Sequence, residues 1–224
     1  MVDIEERIGS LRSKLNFKKL EEEDYEEGKK CEDLKKRWLR DYADIFKEVL
    51  TREDRLNIPP IKIDLVEGHE RIETFKPKTP MEVSPYLEPA AKRELSRMVE
   101  AGMLEEIYCW TEHLSRFFFV EKPGREEDQA HLVADFRSVN RKIRRPEVPL
   151  EGSWNILRRL NPHDSYFGCV DFSSGFSQLT LDESSRDLFC IILPWGKFRC
   201  CVLPQGTSAS PEIFDIKTSP KIRN

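Results

Sequence analysis

Apolar positions change their period along the chain, and the changes outline its elements. Ile4, Ile8, Leu11 and Leu15 recur at helical spacing. After the charged stretch EEEDYEEGKK, with a break at Gly28, the residues Trp38, Leu39, Tyr42, Ile45, Phe46 and Leu50 give a second helix its apolar face. The first stripe lasts about two heptads, short of the three or four that define a coiled coil, so a solvated arm is the better reading. From Asn57 the texture changes: NIPPIKIDL alternates Ile61, Ile63 and Leu65 as an extended strap, and the prolines between Lys76 and Pro89 exclude helix. Pro89 suits the first turn of a helix whose face is Leu95, Met98, Val99 and Met103 and which stops near Gly102.

Beyond it, Ser115–Lys122 and His131–Phe136 read as two apolar strands of a hairpin around the polar insert PGREEDQ. A helical segment Ser153–Leu160, a strand Tyr166–Val170, an SSGF turn, the strands FCIIL and KFRCCVL, and a helix over Gly206–Lys217 with Ile213 and Phe214 inward complete the pattern. Strands and helices alternate without regular βαβ spacing, which predicts an α+β fold with a mainly antiparallel sheet.

Composition changes this picture in three places. The charged fraction is 35%, the apolar fraction 38% and the mean hydropathy -0.59, so a solvated segment is expected, with the first 57 residues as its place. A net charge of -4 gives no overall attraction to nucleic acid, although a local basic face can be hidden in the sum. Six cysteines fall without CxxC pairs or a zinc-type grouping with the four histidines, which reads as buried free thiols. With neither a targeting segment nor an apolar span for a bilayer, the expected location is intracellular, cytoplasmic or nuclear, with no membrane partner.

The chemistry concentrates in three runs: VADFRSVN (Val133–Asn140), CVDFSSGFSQL (Cys169–Leu179) and LPQGTSASPEIF (Leu203–Phe214). By themselves their residues have ordinary readings. Asp171 ends an apolar run as many turn or cap residues do, Phe176 is one of thirteen phenylalanines, and the basic stretch Phe136–Pro146 matches a solvated face. Gly175 and Gly206 permit close backbone approach, Pro204 stiffens its turn, and Gln205 carries an amide able to donate and accept.

Taken together, the three runs resemble the fingers and first half of the palm of a Gypsy-like LTR retrotransposon reverse transcriptase, over roughly residues 60 to 217 and most densely over Ser115–Phe214. The resemblance implies an RNA-directed DNA polymerase working by two-metal nucleotidyl transfer with Mg²⁺ or Mn²⁺. It assigns Asp171 as the catalytic carboxylate and metal ligand, with the main-chain carbonyl of Phe172 as a second ligand. Lys122, His131, Ser174, Gly175, Phe176 and Gln205 then bind the incoming nucleotide, with Phe176 as a gate against the 2′-hydroxyl, while Arg137, Pro204 and Gly206 meet the template. His131 departs from the family, which has arginine there.

The implied partners are an RNA or DNA template with its primer, deoxynucleoside triphosphates and the remainder of the polymerase. The implied organisation is a charged helical N-terminal arm or linker (1–57), a strap and helix leading into the fingers (58–114), fingers and partial palm (115–217) and a tail (218–224). No Tyr-x-Asp-Asp run follows Phe214, so the expectation is a truncated enzyme, inactive alone. A non-catalytic nucleic-acid-binding or partner subunit and a decayed element without function are the alternatives.

Overall fold

The computed structural model describes residues 25–43, 51–72, 81–121, 130–148, 150, 152, 155, 158 and 171–222. The first expected helix, the segment Ile45–Leu50, the strand Tyr166–Val170 and most of the segment 153–160 lie outside these. The chain divides into two compact units, Met1–Val49 with Glu151–Ser173, and Leu50–Leu150 with Ser174–Asn224.

In the first unit, helix α1 spans Tyr25–Asp41. The expected break at Gly28 does not occur, because one glycine costs a helix only about 1 kcal/mol and the neighbouring residues are good helix formers. Of the expected apolar face, Leu39 is buried, whereas Trp38 and Tyr42 are exposed and pack edge to face on each other at 6.2 Å. Asn155 and Arg158 are helical and exposed.

The second unit holds a large core. Helix α2 (Glu88–Glu100) begins with Pro89 in its first turn and buries Ala90, Ala91 and Leu95, with Met98 packed against the core. Val99, expected on this face, stands 39% exposed. The Arg55 guanidinium fastens the helix end, donating to the carbonyls of Ala101 (3.1 Å) and Gly102 (2.6 Å). Such a cation at a helix C-terminus satisfies carbonyls that have no partner within the helix.

Three strands form one antiparallel sheet in the order β1 (Leu104–Ile107), β5 (Gly196–Cys200), β4 (Cys190–Leu193). The expected hairpin is the second sheet, β2 (Arg116–Glu121) with β3 (Ala130–Asp135), in which Phe118 faces Val133 and Val120 faces His131. Phe117 turns inward and meets Phe119 edge to face at 5.6 Å, leaving Phe118 and Val120 exposed. The alternation is that of a strand with one face packed and one wet.

The strap is laid across this core as the sequence suggests. Ile61 and Ile63 are buried, the Ile61 N–H donates to the Thr180 carbonyl (2.8 Å), and the Ile63 N–H donates to the buried Ser185 hydroxyl (2.9 Å). Further on, Leu65 bridges Ile143 and the Val66 N–H donates to the Lys142 carbonyl (2.9 Å).

One arginine links β1, β5 and the short helix α4 (Glu183–Arg186), which follows α3 (Arg137–Asn140). Arg199 meets Glu105 (2.5 Å), Asp187 (2.9 Å) and Glu183, and Arg186 meets Glu183 (2.9 Å) and Glu105 (3.3 Å). Burial alone would raise the Glu105 pKa, but the two guanidiniums hold it below the usual carboxylate range. A carboxylate so lowered contributes stability above its unfolded pKa and loses it as pH falls through the folded value. Arg199→Met leaves three carboxylates without their shared cation and is expected to cost about 2 kcal/mol at pH 7. Urea midpoints should show the gap narrowing below about pH 4, once those carboxylates protonate; a gap independent of pH would mean that the network contributes nothing.

Candidate functional site

The three motif runs meet within the second unit, and main-chain pairing accounts for the first contact. The Leu203 N–H donates to the Leu179 carbonyl (2.8 Å) and Thr180 bridges Val202, so the residues just before LPQG lie beside those just after SSGF. Phe176 then packs edge to face on Phe214 at 5.6 Å, joining the SSGF turn to helix α5 (Ser210–Ile222). The third link is Asn140. Its Nδ2 donates to the Gly206 carbonyl (3.0 Å) and its Oδ1 accepts from the Ser208 N–H (2.9 Å), clasping the LPQG turn from both sides.

Within that turn, Gln205 and Gly206 are exposed while Pro204 is buried, its carbonyl accepting from the buried Ser210 hydroxyl (3.0 Å). Pro204, expected to meet the template, therefore holds the turn from beneath. Gly206 has φ +93°, a conformation that disfavours any side chain, and lies beside Ala134 and Phe136. The expected helix over Gly206–Lys217 begins only at Ser210, because Gly206 keeps the preceding residues in a turn. It runs on to Ile222, with Thr218 buried, so residues 218–222 continue the helix.

In the SSGF turn the strain falls on Ser174, whose φ is +49°, and Gly175–Gln178 form a single 3₁₀ turn. Ser174 is the only non-glycine residue with positive φ among the described residues. Such outliers cluster at functional sites, where the surrounding structure enforces them. Phe176 is half-buried, so its ring has a core side against Phe214 and a partly open side.

Arg137 is fully extended on the surface, forked onto Asp135 by bonds of 2.8 and 2.7 Å, which hold the Asp135 carboxyl below the usual range. His131 lies on β3 opposite Val120. Lys122 lies outside the described residues. The expected basic stripe is narrower than its sequence: Lys142 is buried, with 2% of its surface exposed, and Arg145 is paired with the buried Glu212. Arg141 and Arg144 are exposed.

Asp171 and Phe172 belong to the first unit and are exposed. Among the described residues, no three His, Cys, Asp or Glu side chains gather to hold an ion. A two-ion site needs several carboxylates, so the described residues do not fit it by themselves.

No family model matches the chain. It is 36% identical over 92 residues to the retrovirus-related Pol polyprotein from transposon 412 of Drosophila melanogaster, a match covering 41% of this chain and 7% of the relative. It is 28% identical over 136 residues to the enzymatic polyprotein of Figwort mosaic virus (60% and 20%), and 23% identical over 186 residues to the Gag-Pol polyprotein of Woolly monkey sarcoma virus (80% and 10%). Its homologues are retroelement Pol polyproteins. The chain spans a fifth or less of the length of these relatives.

Solved structures agree on the fold. The foamy viral protease-reverse transcriptase in complex with dsDNA matches all of this chain with a TM-score of 0.70 at 19% identity, over 42% of its own length. The same protein in complex with an RNA/DNA hybrid matches with a TM-score of 0.66, also at 19% identity and over 27% of its length. The α+β arrangement of helices and antiparallel sheets is thus shared with reverse transcriptases. Among the described residues, no helix is long and apolar enough to cross a membrane.

Sequence reasoning quoted Asn140 inside its motif and gave it no role. A conserved-looking amide in a surface run carries no signal for a bond to a turn 66 residues away.

Proposed function

We propose that the chain is the fingers and first half of the palm of a Gypsy-like retrotransposon reverse transcriptase. The meeting of the three motif runs at the LPQG turn supports this best. In this reading the exposed Gln205 and the SSGF turn handle the sugar and phosphates of a deoxynucleoside triphosphate. Phe176, braced by Phe214, lies under the sugar, and His131 with Lys122 faces the triphosphate. Arg137 and Gly206 lie along the template strand. Asp171 and the Phe172 carbonyl are metal-side ligands for Mg²⁺ or Mn²⁺ that require further carboxylates, and the 224 residues contain no Tyr-x-Asp-Asp run to supply them. They are accordingly inactive in polymerisation by themselves.

A primed template is the partner that this surface can be tested on directly. Binding should be indifferent to sequence and weaken steeply with salt, each phosphate-contacting cation adding about 0.9 to the slope of log K against log salt. Arg141→Ala with Arg144→Ala should lower that slope by about 1 to 2 in an anisotropy titration. Lys142 and Arg145 are left in place because one is buried and the other braces Glu212. An unchanged slope would place the nucleic acid on another face.

A further inference from the structure

The segment leaving β1 carries the two most exposed aromatic side chains among the described residues, Tyr108 at 86% and Trp110 at 78%. Two large rings turned to water within three residues are unusual on a surface that touches nothing. Carboxylates flank them. Glu106 and Glu112 are exposed, and the Tyr108 hydroxyl donates to Glu106 at 2.7 Å, keeping ring and charge together. The run Leu104–His113 contains three glutamates and neither lysine nor arginine. Glu105 is already engaged by Arg199 and Arg186, so Glu106 and Glu112 are the outward charges.

We propose that Glu106, Tyr108, Trp110 and Glu112 form a docking surface for a lysine- or arginine-bearing segment of a partner protein. Ring faces attract cations, and nearby carboxylates pair with the same groups. A nucleic acid is the wrong partner here, because its phosphates would meet Glu106 and Glu112. A second copy of this chain is also a poor match: within its basic run Phe136–Pro146, Lys142 is buried and Arg145 is held by Glu212. The inference stands independently of the polymerase reading, since none of these four side chains belongs to the nucleotide or template assignments.

The test uses the full chain, a fluorescent nona-arginine peptide and a short DNA duplex, followed by anisotropy. Trp110→Ala and Tyr108→Ala should each weaken peptide binding about fivefold, and Trp110→Phe should recover most of the loss. Glu106→Gln with Glu112→Gln should weaken it at least as much, while Glu53→Gln with Glu67→Gln, an equal change of charge at other exposed positions, should leave it unaltered. Duplex affinity and sedimentation should be the same for Trp110→Ala and the parent. Four results would overturn the proposal: peptide affinity indifferent to both aromatic changes, an equal loss in the Glu53/Glu67 control, loss of duplex binding in Trp110→Ala, or a change in self-association in that variant.

Discussion

Asp171→Asn is expected to abolish nucleotide incorporation in an enzyme assembled by joining this chain to a segment carrying Tyr-x-Asp-Asp and a thumb from a related Pol polyprotein. Asparagine keeps the shape of the side chain and removes the charge that a hard divalent cation requires. The expected loss is on the order of 10³-fold or more, equivalent to about 4 kcal/mol of transition-state stabilisation. Asp171 is exposed, so the change disturbs no packing, and duplex binding, carried by arginines elsewhere, should be intact. Single-nucleotide incorporation and anisotropy on the same preparation separate the two effects. Unimpaired incorporation by the variant would remove Asp171 from the chemistry.

Phe176→Val in the same enzyme should raise ribonucleotide use relative to deoxynucleotide use by about 10- to 100-fold. The argument is steric. Phe214 meets the Phe176 ring edge to face and limits how far it can retreat, so a 2′-hydroxyl on the sugar above it would collide. Valine opens that space. Phe214→Ala should have the same effect in smaller measure, because it lets the ring withdraw. If the ratio of the two kcat/KM values does not move in Phe176→Val, the ring is a core aromatic and no gate.

The hairpin of β2 and β3 was legible because its apolar strands alternate on either side of a polar insert, a pattern that specifies both pairing and faces. Helix α2 was legible from Pro89, and the LPQG turn from its proline and glycine. What escaped the sequence depended on contacts between distant segments. Lys142 looks like one more surface cation until the strap is laid over its backbone at Val66. The Asn140 clasp joins positions 66 and 68 residues apart, and the Arg199 network joins three elements whose proximity only the fold creates. Gly28 misled in the opposite direction, since a local breaker was overridden by its helical neighbours.

The metal-side and nucleotide-side residues together make the account's central claim, that this chain is the front portion of a reverse transcriptase. Primer extension on an RNA template measures it most directly, with the 224-residue chain and the fused enzyme compared under saturating Mg²⁺ and deoxynucleotides. The account predicts no extension by the chain alone and templated extension by the fusion. Extension by the chain alone, or a folded, duplex-binding fusion that incorporates nothing, would contradict it.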